Sequence, residues 1–222
     1  MYTSQILSAP LPSVEAPGCP PMSIWRWAEG EVEIGIWECE PGVLEGPPPD
    51  ADAMMFMVAG RATLAHDDGE WDLAPGSLWA TPRGWAHRWR IHQTVRKLFV
   101  VDQRAGTPAS AAHMANAFRA EVGDTKPRAA IEGDPRESTN TLWAHNGLEM
   151  GVWECTPGKF SARRDGYDEV FVCLSGRATL TDASGVRFDL SPGSALCTPA
   201  GFTGTWHVTE TFRKVFCIIN DR

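Results

Sequence analysis

GVWECTPGKF (Gly151–Phe160) opens, and TWHVTETFRKVFCII (Thr205–Ile219) closes, a stretch that repeats an earlier part of the same chain. Moved back by 116 residues, it lays GVWECTPG on GIWECEPG (Gly35–Gly42) and SGRATL (Ser175–Leu180) on AGRATL (Ala59–Leu64). One extra residue after Gly185 changes the offset to 117; from there LSPGS falls on LAPGS, TPAGF on TPRGW, Trp206 on Trp89 and TFRKVF on TVRKLF. Glu33–Gly69 and Trp71–Val101 share 27 of 68 positions with their partners, so the chain carries one fold twice.

Working outward, short runs rich in Val, Ile, Trp, Phe and Met alternate with turn signals: Glu40-Pro41-Gly42, Asp67-Asp68-Gly69, Ala74-Pro75-Gly76 and Pro82-Arg83-Gly84. Strands broken every eight to twelve residues describe an all-β barrel or sandwich. Residues 1–21 hold five prolines and read as an extended arm along a barrel edge or a neighbouring subunit. The first repeat occupies 22–101 and the second 139–222. Between them, 102–138 reads as a linker with a helix: Thr107 caps, Pro108 starts, and SAAHMANAFRAEV runs to Gly123 with Met114, Ala117 and Phe118 on one face.

Composition narrows the function. With 222 residues, 43% hydrophobic, the chain has room for two small cores. A net charge of -8 argues against nucleic acid or an anionic membrane as partner. No run approaches the roughly 20 apolar residues of a spanning helix, and MYTSQILSAPLP lacks a basic region followed by an apolar one. The expected location is therefore the cytoplasm. Six cysteines without a CxxC pair read as reduced, buried small hydrophobes.

The pattern W-E-C-x-P-G, E-x6-G followed by Arg, L-x-P-G-S, P-x-G, T-W and R-K-x-F resembles the cupin superfamily, and within it the ureidoglycine aminohydrolase and ethanolamine-utilisation type small barrels. The resemblance implies two tandem jelly-roll barrels, a bicupin, and a homodimer is expected because cupins associate through barrel edges. It also implies a metal held by H-x-H-x(3,4)-E-x6-G and a histidine of G-x5-P-x-G-x2-H. In the second copy Glu169 and Gly176 fit the first motif, but the histidine slots hold Arg163 and Asp165, or Ala162 and Arg164, and the last slot is Gly204. In the first copy His87 survives while the glutamate slot is Ala53. Neither copy keeps the set, so no metal cofactor is expected; the alternative is a divalent ion in an atypical carboxylate site of Asp165, Asp168 and Glu169. Ureidoglycine hydrolysis, which the resemblance makes metal-dependent, is disfavoured.

Alternation along the strands places Glu169, Phe171, Cys173, Phe202, Gly204 and Trp206 inside one barrel, and Ala53, Met55, Met57, Trp85, His87 and Trp89 inside the other. Two functions follow. The first is a metal-independent lyase, isomerase or hydrolase acting on a small carboxylate-bearing metabolite. Its acid/base is Glu169, with a pKa raised by burial among Phe171, Phe202 and Trp206; Tyr167 assists, and Arg163 or Arg164 either anchors the substrate or pairs with Glu169, lowering its pKa in a structural ion pair at the barrel mouth. It predicts that Glu169→Gln abolishes turnover and leaves the melting temperature near wild type. The second is a binding or sensing bicupin whose ligand sits among Trp85, His87 and Trp89. Glu38, Glu154, Arg96-Lys97 and Arg213-Lys214 recur in both halves, which points to a shared salt bridge.

Overall fold

The computed structural model describes residues 7–45, 49–107 and 111–220, and among them it is all-β, with seventeen strands and no helix. No helix long and apolar enough to cross a membrane occurs in these residues. Two compact units divide the chain between Asn116 and Ala117, with Leu7 and Ser8 grouped in the second. The first unit holds β1 (Ser13–Val14), β2 (Met22–Ala28), β3 (Val32–Cys39), β4 (Gly42–Leu44), β5 (Asp52–His66), β6 (Gly69–Leu73), β7 (Ser77–Thr81), β8 (Arg88–Asp102) and β9 (His113–Asn116). The second holds β10 (Lys126–Pro127), β11 (Arg136–His145), β12 (Leu148–Cys155), β13 (Gly158–Arg163), β14 (Tyr167–Asp182), β15 (Arg187–Leu190), β16 (Ala195–Thr198) and β17 (Thr203–Asn220).

The strand orders match across the duplication. One sheet runs β1-β2-β3-β8-β5-β7-β9, with β4 on β8 and β6 on β5; the other runs β10-β11-β12-β17-β14-β15, with β13 on β17 and β16 on β14. Each is a jelly-roll barrel around its own apolar cluster, the first centred on Met57, Leu64, Trp79 and Trp89, the second on Phe160, Phe171, Trp206 and Phe212. The segment leading into each barrel lies along its edge: Ser13 pairs with Ser23, and Lys126 with Glu137.

The shared G-R-A-T-L signature marks the corner of each barrel. The long pairings β5 with β8 and β14 with β17 slip register around Ala59–Arg61 and Ser175–Arg177, and the bulge bends a strand that would otherwise stay open. Gly60 and Gly176 sit there at φ 88° and 82°, where an added Cβ would come 2.2 Å from the Thr94 carbonyl oxygen and 2.1 Å from that of Thr211. Only glycine fits both the left-handed backbone and the close approach. Gly176→Ala is expected to cost at least about 2 kcal/mol of stability, read as a urea midpoint shift; an unchanged midpoint would remove the corner from this account.

The expected inter-barrel helix does not form. Pro108 to Ser110, part of that expectation, lie outside the described residues. His113–Asn116 instead pair antiparallel with β7, Ala80 opposite His113 and Ser77 opposite Asn116. Ala117 is buried, but Met114 and Phe118 of the supposed packing face are exposed. The physical reason is competition. A short Ala-rich segment is a marginal helix in water, whereas the free edge of β7 offers it a ladder of backbone hydrogen bonds.

The recurring Glu and Arg do pair. Glu38 lies opposite Arg96 and Glu154 opposite Arg213 in register, with contacts of 3.0 and 3.4 Å. Each arginine also donates to the segment that precedes its barrel, Arg96 to the Ala9 carbonyl and Arg213 to those of Ala117, at 3.1 Å, and Ala120. Successive residues of a strand face opposite ways, so Lys97 and Lys214 point inward and take no part in those bridges.

Candidate functional site in the second barrel

A cavity of about 180 Å³ opens into the second barrel, lined by Arg128, Thr139, Trp153, Phe160, Arg163, Arg164, Tyr167, Glu169, Trp206, Lys214, Phe216 and Ile218. Its floor is ionic. The Glu169 carboxylate is clasped by the Arg164 guanidinium on one oxygen and by Lys214 Nζ on the other, the latter at 2.5 Å, and all three side chains are 7% exposed or less. Strand geometry produces the cluster: Glu169 on β14 lies beside β17, which carries Lys214, while Arg164 follows β13 directly and its backbone N–H donates to the Phe202 carbonyl. Arg164 Nε donates to Thr198 Oγ1 and Nη1 to the Arg163 carbonyl, both at 3.0 Å. Lys214 Nζ lies 4.5, 5.0 and 5.5 Å from the ring centres of Phe171, Trp153 and Trp206.

Of the two expected directions for the Glu169 titration, this arrangement gives the one set by ion pairing. Burial works to raise its pKa, but Arg164 and then Lys214 more than offset burial and hold the carboxyl below its ordinary range. Burial pulls Lys214 down to about 8 against the upward pull of Glu169. The group that titrates near neutrality is therefore the amine, not the acid. The three charges sum to one uncompensated positive charge in a buried place.

The remaining expected residues divide. Tyr167 lines the cavity, its hydroxyl donating to the Arg163 carbonyl at 3.3 Å. Arg163 stands at the mouth, 67% exposed and paired with Asp165 at 3.2 Å. Trp206 forms wall, while Phe171 and Phe202 are core behind it. Alternation also gives away Lys214, since it shares a face with Phe212, Phe216 and Ile218. Arg128, whose guanidinium lies 4.4 Å from the Phe160 ring centre, has no signal in a linker read as polar.

Family-type metal ligation does not fit these residues. The ion's natural neighbourhood beside Glu169 is taken by two organic cations, which repel a dication. At Gly204, in the last histidine slot, any Cβ would come 2.3 Å from the Thr181 carbonyl oxygen. The alternative carboxylate site is not assembled either: Asp165 is spent on Arg163, and Asp168 Oδ1 accepts the Ala200 N–H at 2.6 Å. Asp52 does the same for Arg83 N–H at 2.9 Å in the first barrel, so this aspartate is a turn clamp common to both copies. Among the described residues no three His, Cys, Asp or Glu side chains converge as a metal-binding group.

In the first barrel Trp85, His87 and Trp89 do not share one pocket. Trp89 is core, its ring centre 5.8 Å from that of Trp37 and 5.9 Å from that of Trp79. Trp85 stacks on Trp71 and His87 and lines a surface cleft with His66 and Arg83. His87 donates to the Trp85 carbonyl at 3.0 Å and borders a different cleft with Glu45 and Arg88. Burial outweighs that hydrogen bond and lowers its pKa, which keeps the imidazole neutral. Trp85 and His87 lie before β8 starts at Arg88, outside any strand, so the strand alternation that grouped them with Trp89 does not apply there.

Two tandem jelly-roll barrels, each built on the same strand order, define a bicupin. The model of the EutQ-like cupin domain matches residues 27–99 and again 144–216, and the chain belongs to that family. Among solved structures it is similar to a protein of unknown function of the DUF861 family from Pseudomonas syringae pv. tomato (TM-score 0.78, 19% identity, 98% of this chain and 97% of that one). It is also similar to a cupin 2 conserved barrel domain protein from Leptotrichia buccalis (0.69, 11%, 97% and 100%) and to the E162A mutant of Bacillus subtilis oxalate decarboxylase (0.61, 12%, 100% and 78%). At these identities the likeness is one of fold. No curated protein sequence matches.

Proposed function

We propose that the second barrel binds a small carboxylate-bearing metabolite and acts on it by proton transfer, as a lyase, isomerase or hydrolase. The observation that carries the reading is the buried Arg164–Glu169–Lys214 cluster at the floor of an open cavity, with its unbalanced positive charge. A substrate carboxylate supplies the missing negative charge. Arg163, whose only ion pair among the described residues is the exposed one with Asp165, offers a forked donor at the mouth to receive it, while Arg128 is held by Glu137 and acts as wall. Arg164 is committed to Glu169 and Thr198 and acts as wall. Glu169 stays ionised and fixes the Lys214 amine, which exchanges the proton; Tyr167 donates a hydrogen bond at the mouth.

Calorimetric titration with oxalate, malonate, glyoxylate and pyruvate tests the anion. Binding of at least one, weakened about tenfold or more in Arg163→Ala, is expected; indifference to all four would sink the carboxylate. Proton transfer is read by NMR as deuterium uptake at carbon from D2O in malonate or pyruvate. Its rate is expected to rise with pH through about 8 as Lys214 becomes the free base, and to vanish in Lys214→Met. Exchange that survives in that variant would take the amine out of the chemistry.

A further inference from the structure

The first barrel contains the same pocket with its acid removed. A cavity of about 210 Å³ there is lined by Ile24, Glu33, Trp37, Met55, Lys97, Phe99 and Val101. Trp37, Lys97, Phe99 and Val101 occupy the places in the repeat that Trp153, Lys214, Phe216 and Ile218 occupy around the second cavity. The place of Glu169 is taken by Ala53, buried, opposite Thr81 as Glu169 is opposite Thr198. Its side chain stops at Cβ, two carbons short of where a glutamate would place its carboxyl carbon.

Lys97 is consequently an amine without an acid. It is 8% exposed, and its Nζ meets the Met55 sulfur at 3.0 Å and lies 4.6, 4.7 and 5.8 Å from the ring centres of Trp89, Trp37 and Trp79. No oxygen acceptor for it occurs among the described residues. The indole N–H of Trp79, fully buried in the same aromatic cluster, has no hydrogen-bond partner either. Glu33, at the cavity, is already held by Arg26 at 2.8 Å and by Gln103 at 3.2 Å. Indole faces favour the cation, yet a buried ammonium without a counter-ion is expensive. A ligand that brings its own carboxylate resolves the conflict, and the indole, phenyl and thioether walls suit an apolar body behind it.

We propose that the first barrel binds a small apolar monocarboxylate whose carboxylate pairs with Lys97, in place of the acid that the duplicated barrel carries as Glu169. This site is separate from the second-barrel reaction and does not rest on it.

The test compares benzoate and 3-methylbutanoate with their uncharged amides, benzamide and 3-methylbutanamide, by calorimetry and by tryptophan fluorescence on the full chain. The acids are expected to bind at least about tenfold more tightly than the amides, the range of a charge-assisted hydrogen bond. Lys97→Met is expected to abolish that preference. Ala53→Glu, which rebuilds the second-barrel pair in the first, is expected to compete from within and remove binding; if it does not fold, Lys97→Met decides alone. Equal affinity for acid and amide, absence of acid binding in the unmodified chain, or unchanged acid binding in Lys97→Met would each overturn the proposal, the last by placing the site in the other barrel.

Discussion

Glu169→Gln should lower stability by about 3–5 kcal/mol, the cost of breaking a buried ion pair from one side, with a fall in Tm on the order of 10 °C. This replaces the expectation that the substitution would be silent for stability. The amide keeps the shape of the acid but leaves Arg164 and Lys214, each 7% exposed or less, as two uncompensated cations in one cavity. Adding Lys214→Met removes one of them, so the double variant should recover part of the loss, which a double-mutant cycle reads as a coupling energy. The acid limb carries a second signature. The Glu169 pKa is lower in the fold than its ordinary 4.5, so its stabilisation is complete above that value and disappears as pH falls through the folded pKa. The variant should therefore lose less stability than wild type on going from pH 5 to pH 3. A Tm within a degree or two of wild type would mean that the cluster is not held as described.

Opposite signs are expected for the same substitution at equivalent places of the duplication. Lys214→Met removes a partner of Glu169 and should destabilise by about 2–3 kcal/mol. Lys97→Met replaces an amine that has no acid with an apolar chain of similar length and should stabilise by about 1–2 kcal/mol. The pH dependence follows from the direction of the shift. Burial lowers Lys97 from 10.5 to about 7, so above pH 7 the unfolded chain holds a proton that the fold has released, and stability rises with pH. The slope is at most about 1.4 kcal/mol per pH unit. It is best read between pH 7 and 8, before Lys214 at about 8 contributes in the same sense and before the buried thiols act oppositely. Burial pushes Cys39 and Cys155 up to about 11 and Cys173 to about 12. Denaturant midpoints across this window should climb in wild type and stay flat in Lys97→Met. A Lys97→Met protein less stable than wild type would show that the indole cage, not an absent ligand, satisfies the ammonium. A stabilised variant that no longer binds acids is the usual trade between a strained site and a relaxed fold.

The duplication and the all-β class were legible in the chain because they depend on repeated local turn chemistry and on short apolar runs, which are written residue by residue; the corner at G-R-A-T-L was visible only as a repeated string until its register slip was seen. Glu169, Tyr167, Arg163, Arg164 and Trp206 could be named for the same reason, since they flank a motif. Lys214 could have been: in R-K-x-F the lysine shares the inward face of the phenylalanine, and only its charge argued for the outside.

What the sequence could not settle was which groups meet. The Glu169 titration depends first on Arg164, nearby in sequence, and then on Lys214, 45 residues away, and a pKa is set by neighbours in space. The segment after Thr107 was decided by a sheet edge formed by Ser77–Thr81, not by its own helix propensity. The meaning of Ala53 emerges only when Lys97 is seen facing inward beside it, because a missing carboxylate becomes a binding feature only where the charge it would have neutralised is buried.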